Sequence, residues 1–190
     1  MGKIVIMYGL PAAGKTTQAK KIAEKYGLYH FIMSDKLREL AASGSELGNT
    51  IKEMMAAGAL VPDEIIMEAL RDVKPKALEN GIVFDGFPRL LNQGQMLEQM
   101  LSEIDLKVDA MILLKVGADE VRSRIGERAA VENRVDDNNK EVVENRINIF
   151  LKESIPLTNH YRELNKLHEL NGEEEIDTIF SKISQIIDTL

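Results

Sequence analysis

The sequence predicts an α/β fold with a parallel sheet, and three observations carry that prediction. Residues 4–8, 82–84 and 110–114 are short, uninterrupted apolar runs, the pattern of strands buried on both faces. Stretches with the 3.6-residue period of an amphipathic helix separate them, and short apolar strands alternating with helices build parallel sheets. A glycine-rich segment, Gly9 to Gly14, stands between the first strand and the first helix.

The elements follow in chain order. Ile4-Val5-Ile6-Met7-Tyr8 is the first strand. Residues 15–26 read as a helix because Ala19, Ile22, Ala23 and Tyr26 share one face, with Gly27 where a helix can end. Helical spacing recurs over 35–42, 50–57 and 63–73. Within this stretch, residues 43–62 are rich in Gly, Ala and Ser, with Gly44, Gly48 and Gly58 as joints. That region reads as a small helical insertion rather than a second domain. The strand at 82–84 ends in Asp85 and is followed by helix 90–103, strand 110–114 and helices 118–128, 140–153 and 173–188. Glu173-Glu174-Glu175 is read as the opening of the last helix, where acids suit the positive end. The apolar pattern lapses over 132–141, as in a small flap.

Length and composition exclude several classes. The 190 residues fit one domain and carry 44% hydrophobic side chains, enough for a real core. Acidic residues number 31 against 24 basic, a net charge of -7, which argues against a protein that coats nucleic acid through its overall field. With no cysteine there is no disulfide scaffold and no cysteine-held zinc. Trp is absent and aromatics are 5%, which leaves little for stacking single-stranded bases. No apolar run approaches the ~20 residues of a membrane span. Met1-Gly2-Lys3 runs directly into the first strand, too short for a signal peptide, and Ile6 stands where a myristoylation signal needs Ser or Thr. A cytoplasmic protein is expected.

The most specific motif is Gly9-Leu10-Pro11-Ala12-Ala13-Gly14-Lys15-Thr16, which matches G-x-x-x-x-G-K-[ST] between a strand and a helix. Successive backbone N–H groups in such a loop wrap a phosphate at the positive end of the helix. Lys15 adds a full charge at the β and γ phosphates, and the Thr16 hydroxyl can reach Mg²⁺. Asp85, at the end of an apolar strand, is a second candidate for Mg²⁺, held through water; Asp is equally a common turn residue. Of the nine arginines, Arg124 and Arg128 share a helix face, where like charges repel unless an anion lies over them. The alternative is a solvated face on which Glu120 pairs with Arg124. Arg134 sits in a short polar loop, and guanidinium forks suit a transferring phosphoryl group. His30, His160 and His168 are scattered without metal-ligand spacing.

Further motifs stand in order along the chain. They are Gly44-Ser45-Glu46-Leu47-Gly48, Gly58-Ala59-Leu60-Val61-Pro62-Asp63-Glu64, and Asp85-Gly86-Phe87-Pro88-Arg89 with Gln93 four residues on. Arg124-x-x-x-Arg128 and Arg134-Val135-Asp136-Asp137-Asn138 follow. With the phosphate loop, this set resembles the adenylate kinase family of nucleoside monophosphate kinases along essentially the whole chain. The resemblance implies a P-loop three-layer core with a five-stranded parallel sheet, a nucleoside-monophosphate arm over 32–61 and a short lid over 127–137 with no zinc. It implies reversible transfer of the terminal phosphoryl group of ATP to AMP, giving two ADP, by a monomer using Mg²⁺ and neither nucleic acid nor membrane. In that reading Ala12, Ala13, Gly14, Lys15, Thr16 and Thr17 hold the ATP phosphates, Arg124 and Arg128 cover the ATP side, and the backbone at Glu174 touches its base. Arg38 and Arg89 grip the acceptor's phosphate, Gln93 bonds its base, and Met33, Ala59, Leu60, Val61, Gly86, Phe87 and Pro88 line its site. Arg134 and Arg146 reach the acceptor and the moving phosphoryl group, with Lys15, Arg89 and Arg128 sharing the catalytic charge. Thr16 and Asp85 serve Mg²⁺, and Phe87–Pro88 is expected cis.

The chain departs from the family at several of these positions. Ala12 and Thr16 stand where relatives have Gly, and Ile32-Met33-Ser34-Asp35 where they read Ser-Thr-Gly-Asp. Met33 thereby replaces a hydroxyl at the acceptor base. A kinase of UMP, CMP or another monophosphate is the nearest rival, although Gln93 favours adenine. A low-turnover nucleotide sensor is the rival of a different class, against which the intact Lys15, Asp85 and arginine set argue.

Overall fold

The computed structural model describes residues 2–132 and 139–190. Its sheet is five-stranded and parallel throughout, in the order β2-β3-β1-β4-β5. The strands are β1 (Ile4–Gly9), β2 (Tyr29–Ile32), β3 (Ile82–Asp85), β4 (Ala110–Lys115) and β5 (Leu167–Asn171). Every residue of β1 and β3 is buried, which is why both read as continuous apolar runs. The flanking strands β2 and β5 were not marked by such runs. β5 carries His168, Glu169 and Asn171 among its five residues and is at most half-buried, as an edge strand can be.

Alternate side chains of the sheet feed two cores. Ile4, Ile6, Phe31, Phe84 and Met111 pack on one face, with Leu97 and Leu101 of α6 (Leu91–Ser102) and Leu157 and Tyr161 of α8 (Lys140–Glu163). Val5, Met7, Val83 and Ile112 pack on the other. There they meet Ala19 and Ile22 of α1 (Lys15–Tyr26), Val121 and Ile125 of α7 (Ala118–Glu132) and Ile179, Ile183 and Ile187 of α9 (Ile176–Asp188). Helices on both faces of a parallel sheet make the three-layer α/β core that the sequence predicts.

Several boundaries differ from the sequence reading, each for a local reason. The helix expected over 63–73 is two helices, α4 (Asp63–Ala69) and α5 (Val73–Asn80). Pro75 lies in the first turn of α5, where its missing N–H costs nothing, so a new helix start accommodates it. Helix 140–153 runs on to Glu163 through Pro156, past the point where a proline reads as a stop. The acidic run 173–175 precedes α9 rather than opening it, with Glu175 at the N-cap. Of the insertion expected over 43–62, α3 (Glu46–Ala56) falls within those bounds, capped by Ser45, which accepts from the Gly48 N–H at 3.0 Å; it packs on α2 (Met33–Ala41), which precedes them. Of the lid expected over 127–137, residues 133–137 lie outside the described residues. Among the described residues no helix is long and apolar enough to cross a membrane.

Candidate active site

The carboxyl ends of the central strands converge at the position where the strand order reverses. β1 pairs with both β3 and β4, so the loop after Gly9 emerges beside the end of β3, with Met7 opposite Asp85. Ile32 of β2 is also opposite Asp85. Parallel α/β sheets bind ligands in the crevice at this switch point.

The loop after β1 is shaped by two backbone requirements. Gly14 has φ 90° and turns the chain into α1, leaving the first N–H groups of that helix aimed outward. Ala12 also lies in the left-handed region, with φ 57°. There a glycine is free of cost, whereas a Cβ is strained. Lys15 curls back over the loop, its ammonium donating to the carbonyls of Gly9 at 3.0 Å and Leu10 at 2.7 Å. The Ala13 N–H also closes on Leu10 O, at 3.2 Å, and Ala13 is buried beneath the loop rather than in its mouth. Burial is the main force lowering Lys15, to about 8. Asp85 opposes it, and the charges of Arg89, Arg146 and Arg128 add to it.

Asp85 is a strand residue, 4% exposed, and not a turn. The Thr16 hydroxyl donates to its Oδ2 at 2.5 Å. Burial pushes the Asp85 carboxyl up, but His30, Lys15 and the Thr16 hydroxyl together outweigh it and hold the group below its ordinary value. The His30 Nε2 is 3.8 Å from Oδ2, an electrostatic contact beyond hydrogen-bond range.

A cavity of about 340 Å³ opens over these groups. Its wall takes in Ala12, Gly14, Lys15, Thr16, Thr17 and Asp85, with Ala59, Val61 and Gly86. Five arginines reach it: Arg38, Arg89, Arg124, Arg128 and Arg146. Arg38 pairs with Asp35. Arg89 sends its Nε–H to Gly86 O at 3.1 Å, and its backbone N–H to Gln93 Oε1 at 2.9 Å, just after the cis Phe87–Pro88 bond. Arg124 donates to Glu120 Oε1 at 2.7 Å and to Gly172 O at 3.1 Å, so the pairing that the spacing allowed and a place in the cavity wall hold together. Three arginines outside the motifs engage surface partners: Arg71 with Glu68, Arg122 with Glu144 and Asp119, and Arg162 with Asn159.

The remaining sequence-predicted residues lie around this centre. Met33, 2% exposed, and Gln93 border a pocket of about 20 Å³ with Leu60 and Phe87. Pro88 borders another, of about 80 Å³, with Tyr8, Phe150 and Glu153. Glu174 is off the cavity wall, and its carboxylate takes Lys182 Nζ at 2.8 and 2.6 Å. Arg134 lies outside the described residues. The sequence reading missed Tyr8, whose hydroxyl donates to Arg89 O at 3.3 Å, and His30 beside Asp85. Tyr8 directly precedes the phosphate loop, but its bond to Arg89 and the approach of His30 to Asp85 depend on strand pairing, which spacing does not reveal.

A glycine-rich loop closing on a lysine, a buried aspartate one strand away and a cleft lined by arginines define a P-loop protein built for nucleotide phosphates. The adenylate kinase family profile matches residues 7–166. An adenylate kinase of Caulobacter sp. (strain K31) is 41% identical over 180 residues, covering 94% of this chain and 95% of the relative. One of Bacteroides thetaiotaomicron is 35% identical over 187 residues, covering 98% of each. One of Archaeoglobus fulgidus is 33% identical over 213 aligned residues, again 98% of each. The chain belongs to the adenylate kinase family of phosphotransferases.

Proposed function

We propose that the chain transfers the terminal phosphoryl group of ATP reversibly to AMP, giving two ADP. The observation that carries this reading is the single cavity in which the phosphate loop, Asp85 and five arginines meet. The acceptor is already an anion, so no general base or covalent nucleophile is required. Catalysis reduces to in-line positioning and neutralisation of charge on the moving group. Gly14, Lys15, Thr16 and Thr17 hold the ATP phosphates, with Arg124 and Arg128 on the same side. Arg38 and Arg89 hold the acceptor's phosphate and Gln93 its base. Lys15, Arg89, Arg128, Arg134 and Arg146 share the developing charge. Lys15, lowered to about 8, keeps its charge near neutrality, and a phosphate taking the place of the loop carbonyls would hold that charge more firmly.

Thr16 and Asp85 fit a magnesium ion that arrives on the nucleotide. Two protein oxygens in contact, one of them an ionised carboxylate, are too few for a protein cage but suit a cation that keeps phosphate and water ligands. Such an ion supplies charge neutralisation at the phosphates. Residues 32–61 act as the acceptor arm and 127–137 as a short lid, closing to exclude water. The Archaeoglobus alignment runs over 213 positions against the 190 of this chain, which supports a shortened form.

The test is a coupled ADP-formation assay with ATP·Mg²⁺ against AMP, dAMP, CMP, UMP and GMP in turn. Strong turnover with AMP is expected. Turnover confined to another acceptor, or binding without turnover, overturns the reading.

A further inference from the structure

Arg89 lies in the irregular segment between β3 and α6, and buried side chains fix its main chain there. Gln93 Oε1 accepts its backbone N–H at 2.9 Å, and the Tyr8 hydroxyl donates to its carbonyl at 3.3 Å. The peptide units on both sides of its Cα are thus tied to residues that solvent barely reaches. The guanidinium then turns back toward the end of β3, with Nε–H on Gly86 O at 3.1 Å.

Tyr8 is the anchor that comes from elsewhere in the fold. It is the penultimate residue of β1, opposite Leu113 of β4, and its main chain runs directly into the phosphate loop at Gly9. Its side chain shares a core with Ile4 and Ile6, the alternate residues of the same strand. On that face its ring centroid lies 5.2 Å from that of Phe150 on α8. The sheet and α8 therefore hold the ring, and the hydroxyl reaches across to the segment that bears Arg89. Burial is the largest influence on this hydroxyl and raises its pKa, so it is a proton donor at neutral pH. Arg89 itself borders both the cavity of about 80 Å³ that Tyr8 lines and the larger one over the phosphate loop.

The geometry points to Tyr8 as a positioning residue for the acceptor's phosphate: through the Arg89 carbonyl it sets the acceptor's arginine against the strand that carries the donor's phosphate loop. In-line transfer needs donor and acceptor phosphates at a fixed separation and angle, and this bond joins the two parts of the chain that hold them. The inference rests on the proposed function, which gives the acceptor's phosphate to Arg89. It places the effect of a change at Tyr8 on an unexpected ligand. Tyr8 adjoins the donor's loop, so a residue that merely packed β1 would disturb ATP first. A positioning residue for Arg89 disturbs the acceptor instead.

The experiment uses Tyr8→Phe, which keeps the ring and removes only the hydroxyl. Equilibrium Kd values for AMP alone and ATP alone are measured on the wild type, Tyr8→Phe, Arg89→Ala and the double variant, with melting temperatures to check folding. Tyr8→Phe should raise the Kd for AMP about fivefold, the worth of one ordinary neutral hydrogen bond, and leave that for ATP within about twofold. In the Arg89→Ala background, loss of the hydroxyl should change the AMP Kd by less than about twofold, because the arginine it places is gone. An unchanged AMP Kd in Tyr8→Phe overturns the inference, as does equal weakening of ATP, or the same loss with Arg89 already removed. Arg89→Ala separates this inference from the reading beneath it. If that variant binds AMP as the wild type does, both fall; if it binds AMP weakly while Tyr8→Phe binds it normally, only the role of Tyr8 falls.

Discussion

Lys15→Met should yield a protein that is more stable and almost inactive. The lysine's drop from 10.5 to about 8 on folding measures the cost of enclosing its charge. That difference corresponds to about 3 kcal/mol. Methionine escapes the cost but loses the two bonds to the Gly9 and Leu10 carbonyls, worth about 1 kcal/mol each. The net gain is about 1 kcal/mol, or a rise of roughly 2–4 °C in melting temperature for a chain of this size.

The sign of the pH dependence follows from linkage. Below about pH 8 the lysine is charged in both states and the full penalty is present. Between about 8 and 10.5 the unfolded chain keeps a proton that the folded chain has lost, so wild-type stability rises with pH. The methionine variant has no such rise. Its melting advantage is therefore greatest near neutrality and closes as pH climbs. The coupled assay should show turnover reduced by roughly 10²–10³-fold, the cost of losing a charge aimed at the transition state. A folded variant with turnover within tenfold of wild type, or a melting gap that stays constant with pH, refutes this account of Lys15.

Arg89→Ala should lower kcat/KM at least 10²-fold, because it removes a charge aimed at the moving phosphoryl group; a KM effect on ATP alone would remove it from the acceptor's phosphate. Ala12→Gly should raise the melting temperature by a few degrees, because φ 57° costs an alanine about 1 kcal/mol that glycine avoids; a lower melting temperature would show that the Cβ packs productively. Gly58→Ala should destabilise by roughly 1–3 kcal/mol in chemical denaturation. Its φ is 65°, and its Cβ would stand 2.9 Å from Val142 Cγ1 and 3.0 Å from Arg146 Cγ. The same push on Arg146 should raise the KM for the acceptor, and an unchanged KM would detach Gly58 from that arginine.

What the sequence disclosed depended on whether the physics was local. Strands β3, β1 and β4 form the centre of the sheet, and burial on both faces wrote them as unbroken apolar runs. Strands β2 and β5 are the two edges, only partly buried and carrying polar residues such as His30, His168 and Glu169, so only the family resemblance implied a five-stranded sheet. The site divides in the same way. The phosphate loop is legible because consecutive N–H groups make it, and Arg124 and Arg128 because one helix turn separates them. The Thr16–Asp85 bond spans 69 residues of sequence and arises from the register that sets Met7 opposite Asp85. The same register, extended through β2, brings His30 to within 3.8 Å of the carboxylate. Residue spacing alone announces neither contact, because the first needs β1 and β3 in register and the second β2 and β3. It is this pairing that turns a glycine-rich turn and a distant aspartate into one site, and hence a change in strand register would disable the phosphate loop without touching one of its residues.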